Sequence, residues 1–139
     1  MSVDEKRAWI YAAIAAVVPA VYFAVVLSRL ATTQAADVAY VRPMLLAVGA
    51  AIVLNIVLGV VAVAASPRDR GRTDERDTSI HRHGEYRAGL VLGIAMVVPF
   101  ALTLTQADHF WIAQTMYLAF VLSALTGAVL KILVYRRGF

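Results

Sequence analysis

A chain of 139 residues that is 61% hydrophobic and only 16% charged has the composition of a membrane protein and not of a soluble domain. Its net charge of +4 comes from thirteen Lys and Arg against nine Asp and Glu, without an aromatic-interleaved basic motif for nucleic acid. The absence of cysteine excludes disulfides, thiolate nucleophiles and Cys-based zinc sites.

The first apolar run extends from Ala8 to Leu27 and holds no Asp, Glu, Lys or Arg. A span needs about 20 such residues to cross roughly 30 Å of hydrocarbon at 1.5 Å per residue. A first transmembrane helix is therefore expected over about 8–28. Lys6 and Arg7 before it could also open a signal peptide, but the run is longer than an h-region and ends in Arg29, so a retained helix is expected. Pro19 in its middle removes a backbone donor and predicts a kink, either a fixed bend or a hinge. Small residues recur every four positions at Ala8, Ala12, Ala16, Ala20, Ala24 and Ser28, the pattern that lets membrane helices approach closely.

The second span is expected over about 44–65, with its small-residue line at Ala47, Ala51, Asn55 and Gly59. Asn55 is strongly polar within hydrocarbon, where an unpaired amide costs several kcal/mol. It is expected to bond across the bundle to Ser123, Thr126 or Thr103, or to a second copy of the chain, or to contact a substrate.

Residues 66–87 form a cytoplasmic loop and helix start, and the stretch RTDERDTSIHRHGEYRAG holds ten of the chain's 25 ionisable side chains. Thr73 or Asp74 can cap a helix whose first-turn acids, Glu75 and Asp77, oppose the positive end of its dipole. On that helix Asp74, Asp77, His81 and Glu85 share one face at spacings of three or four. Asp74, Glu75, Arg76, Asp77, His81 and Glu85 make up the candidate partner-binding surface. His81 and His83 are two apart and fall on different helix faces, so no metal site is expected; nor is a cofactor or a catalytic residue.

The third span is expected over about 88–105 and the fourth over 110–131, joined by a tight turn at Asp108 and His109. Their small-residue lines are Gly89, Gly93, Ala101 and Thr105, and Thr115, Ala119, Ser123 and Gly127. Pro99 predicts a second kink. IAMVVP at 94–99 repeats IAAVVP at 14–19, and the same offset of eighty pairs Glu5 with Glu85, Arg7 with Arg87 and Ala8 with Ala88. The economical fold is an all-α four-helix membrane bundle of two tandem hairpins, a parallel repeat within a single domain, 1–139.

Eleven of the thirteen basic residues lie before span one, between spans two and three, or after span four. Positive flanks stay inside, so both termini are expected in the cytoplasm.

At DERDTSI, residues 74–80, followed by Tyr86, Arg87 and Ala88 at the head of an apolar helix, the chain resembles a loose group of small bacterial membrane proteins without established activity. The resemblance implies a four-helix inner-membrane protein accessory to regulators or transport systems. HRHGEY, residues 81–86, departs from the group, and no role passes to His81 or His83.

The leading expectation is a non-enzymatic accessory, regulatory or assembly protein that uses residues 66–87 to meet a membrane or cytoplasmic protein partner. The alternative is a small transporter or channel, built as a homodimer, for a hydrophobic or cationic solute. The lipid bilayer is a partner under either.

Overall fold

A computed structural model describes residues 3–67 and 75–137, and every regular element in them is helical. The elements are α1 (Val3–Ser28), α2 (Val41–Ala64), α3 (Glu75–Ala95), α4 (Val97–Leu104) and α5 (His109–Arg137), with two short 3₁₀ turns between α1 and α2. Since α4 continues α3 after a single interrupting residue, four helices are long and apolar enough to cross a membrane. The 29 residues of α5 give a rod of about 43 Å, enough for the hydrocarbon and the headgroup layers on both sides.

The helices present apolar side chains outward, with Leu46 73% and Ile94 72% exposed. In water that surface would drive aggregation, whereas in lipid it is the solvated face. The third helix begins thirteen residues before its apolar span, at Glu75, because acids in its first turn favour the helix without any apolar content.

The packing order is α2, α1, α5, then α3 with α4; α5 packs on α1, α3 and α4, while α2 packs closely only on α1. One end of the bundle gathers the start of α1, the end of α2, the start of α3 and the end of α5. Lys6 Nζ donates to Ser66 Oγ at 2.9 Å, and the Arg136 guanidinium stands 5.1 Å from the centroid of Trp9. We call this the charged end. At the opposite end Tyr22, Val26, Val38, Ala47 and Phe110 form the buried core.

The small-residue lines hold on two helices only. On α2 and α5 the residues Ala47, Ala51, Asn55, Gly59, Thr115, Ala119, Ser123 and Gly127 are all buried or half-buried. On α1, by contrast, Ala16, Ala20, Ala24 and Ser28 are exposed and the buried face runs through Ala8, Ile14, Pro19, Tyr22 and Val26. On the third helix Gly89, Gly93, Ala101 and Thr105 are exposed, and the contact passes instead through Gly84, Ala88 and Pro99. A strict step of four advances about 40° beyond a full turn, so over several steps it walks off the buried face.

The two prolines act differently. α1 runs unbroken across Pro19. Ahead of Pro99 the helix is interrupted at Met96, whose N–H still bonds to Leu92 O at 2.9 Å, before the helix resumes at Val97. α4 ends in a Schellman arrangement: Ala107 N–H reaches Leu102 O at 3.0 Å and Gln106 N–H reaches Thr103 O at 3.1 Å. Gln106 takes the left-handed position, with φ of 55°.

Candidate functional site

Among the described residues α2 packs closely on α1 and not on α3, which leaves a gap along one side of the charged end. Two adjoining hollows of about 720 Å³ and 730 Å³ occupy that gap and share Tyr11, Asn55, Ile56, Glu85 and Lys131 as walls. Together they form one cleft. Its inner part is apolar, walled by Ile14, Pro19, Val48, Ile52 and Phe120. Its outer part is polar, with Asp4, Arg7, Asp77, His81 and Tyr135 around the mouth. Either hollow has the volume of a small-molecule site.

Small residues on α3 and α5 place the ion pair at the junction of the two parts. A Cβ added at Gly84 would lie 2.9 Å from Lys131 Cγ and Cε, so only glycine lets the lysine chain cross α3. Lys131 Nζ then meets Glu85 Oε1 at 2.6 Å. One turn deeper, Ser123 Oγ donates to Ala88 O at 2.8 Å, and Gly127 leaves room for the Ala88 methyl. Charge-assisted contacts of this kind are short and directional, and the partly covered Lys131 is better insulated from water than a surface lysine.

The candidate partner-binding residues divide. Asp74 lies outside the described residues. Glu75 and Arg76 are exposed in the first turn of α3 and do not wall the cleft. Asp77, His81 and Glu85 come together along its wall, as their spacing on one helix face predicts. Within the stripe His81 acts on Glu85 through space, and two of the three residues also meet α5. The Tyr135 hydroxyl donates to Asp77, and Lys131 holds Glu85. Among the described residues no three His, Asp or Glu side chains are grouped as metal ligands.

Asn55 and Ser123 both wall the inner cleft but do not bond to each other. Asn55 Nδ2 donates to Ala51 O at 2.8 Å, within its own helix. Thr103 and Thr126 likewise bond to carbonyls four residues earlier, at Pro99 and Leu122. A carbonyl one turn back is always within reach of a short polar side chain, and this local bond outcompetes a partner across the gap.

Sequence reasoning overlooks a second polar side chain inside the spans. Gln114 is 4% exposed and accepts the Tyr22 hydroxyl at 2.7 Å, while its Nε2 has no partner among the described residues. A glutamine in the fourth apolar run carries the same burial cost as Asn55 and is marked by the same polarity. Arg7, Tyr11, Lys131 and Tyr135 were also missed as cleft residues, since each sits at a span boundary where an interfacial anchor is the default expectation.

Comparison of the chain with protein families, with curated proteins and with solved structures gives no match. The functional reading therefore rests on the cleft itself.

Proposed function

We propose that this chain is a non-enzymatic, accessory or regulatory protein of a bacterial inner membrane, which receives an amphipathic molecule from the bilayer into the cleft between α2 and α3. Its termini lie in the cytoplasm, and its two hairpins are tandem copies of one unit. The observation that carries the reading is the gap itself: a cleft apolar within and ionic at its mouth, with one wall formed by a helix that packs on a single neighbour. The orientation is supported by Lys6, Arg7, Arg76, Arg82, Arg87, Lys131, Arg136 and Arg137, which all belong to the charged end. The bacterial setting rests on the resemblance of residues 74–80.

The outward side of α3, with Glu75, Arg76, Arg82 and Tyr86 exposed, supplies a surface through which occupancy is passed to a protein partner. Purification in a neutral detergent followed by native mass spectrometry tests the reading. One bound amphiphile per chain is expected, and it is lost in Ala124→Trp, which fills the inner cleft. A chain that carries nothing, or keeps its ligand in that variant, overturns it.

A second reading, a dimeric transporter or channel, is favoured by one observation: α2 leaves most of its circumference unpacked. Flux of a hydrophobic cation into sealed vesicles, abolished by the same variant, would select it.

A further inference from the structure

The two parts of the cleft differ in charge as well as polarity, and the charge is unbalanced. The outer part is walled by three carboxylates, Asp4, Asp77 and Glu85, against two cations, Arg7 and Lys131, a sum of minus one with His81 neutral. Lys131 is already committed to Glu85. Asp77 meets the neutral hydroxyl of Tyr135, and Asp4 and Glu5 act on that same hydroxyl through space. Lys6 and several arginines stand elsewhere at the charged end, but the groups that wall the mouth carry this excess of acid, and beside low-dielectric walls a positive headgroup is their better complement.

The acids are too dispersed to enclose a bare metal ion. The cation that fits is therefore an extended organic one. Two further features favour it. Tyr11 and Tyr117 line the inner cleft, and aromatic rings are favourable neighbours for an ammonium group. Pro19 deprives the Ala15 carbonyl of its helical donor, and both residues wall the apolar part.

We infer that the amphiphile is a hydrophobic monocation: an alkyl or aromatic body seats in the inner cleft, and its ammonium group lies at Glu85, where it competes with Lys131, with Asp77 acting on it through space from two turns away along the wall. This inference rests on the proposed function above, which requires only that some amphiphile binds.

The test uses the full chain in phosphatidylcholine nanodiscs, with titration calorimetry corrected for empty discs. Dodecyltrimethylammonium, dodecyl sulfate and dodecyl maltoside share one chain and differ in headgroup charge. The ammonium compound is expected to bind at least about tenfold tighter than the sulfate, and Asp77→Asn and Glu85→Gln are each expected to weaken it about tenfold while leaving the maltoside unchanged. Lys131→Met, which removes the competitor, is expected to tighten it. Sulfate binding as tightly as the ammonium compound overturns the inference, as does an ammonium affinity indifferent to both acid variants. Equal binding of all three probes leaves the amphiphile site standing and removes only its charge preference; binding of none overturns both. Should the acid variants fail to fold, the ratio of ammonium to sulfate affinity in the unaltered chain decides alone.

Discussion

Lys131 reaches Glu85 at 2.6 Å by crossing the backbone of α3 at Gly84, where a single methyl group would obstruct it. The pair thus depends on a residue that carries no functional group. Gly84→Ala is expected to destabilise the bundle by about 1–3 kcal/mol, the usual cost of overpacking a close contact. The cost is expected to fall when Lys131 is also shortened to Ala, because the obstructing chain is then absent. A double-mutant cycle of unfolding in mixed micelles measures the coupling; purely additive effects would refute the crossing.

Ser123 ties α5 to Ala88 of α3 through one hydrogen bond of 2.8 Å. Ser123→Ala is expected to cost about 0.6 kcal/mol, the mean for polar contacts between membrane helices, and to leave the helices in place. Reversible unfolding in the same micelles reports it.

Gln114 is expected to show opposite signs in single and double substitutions. Gln114→Leu strands the buried Tyr22 hydroxyl and is expected to cost about 1–3 kcal/mol. Adding Tyr22→Phe removes the stranded group, and since Gln114 Nε2 has no partner to lose among the described residues, the double variant is expected to unfold near the unaltered chain or above it. Thermal melts of the three variants decide.

Asn55→Leu separates packing from binding. Its amide bonds within α2, so no contact between helices is lost and the stability change is expected to stay below about 1 kcal/mol. The side chain walls both parts of the cleft, so retention of a bound amphiphile is expected to drop. Native mass spectrometry and melts on one preparation give both readings.

Gln106 holds the left-handed position of the turn between α4 and α5, which glycine occupies without the Cβ penalty. Gln106→Gly is expected to raise stability by up to about 1 kcal/mol, and Gln106→Val, with its branched side chain, to lower it.

The four long apolar helices were legible because crossing a bilayer demands a set length and composition, and the described helices cover the expected runs to within one residue at their ends. The stripe of Asp77, His81 and Glu85 was legible too, since helical spacing alone puts them on one face. What those residues meet was not. Lys131 lies 46 positions from Glu85, and nothing local specifies that pairing. The small-residue lines were read correctly on α2 and α5 and misread on α1 and α3, where a repeat of four overshoots the turn of 3.6 and the face that touches a neighbour must be decided by that neighbour. The cleft escaped notice for the same reason: it is a contact that α2 and α3 fail to make. Asn55 was assigned a distant partner because its own carbonyl ladder was left out of the competition.

Among the described elements α5 packs closely on α1, α3 and α4 alike. A nascent chain can settle its opening pair of helices as soon as both are threaded, but α3 and α4 find no flank to rest against until α5 has been inserted. A chain truncated before α5 is therefore expected to leave α3 and α4 without their main packing partner.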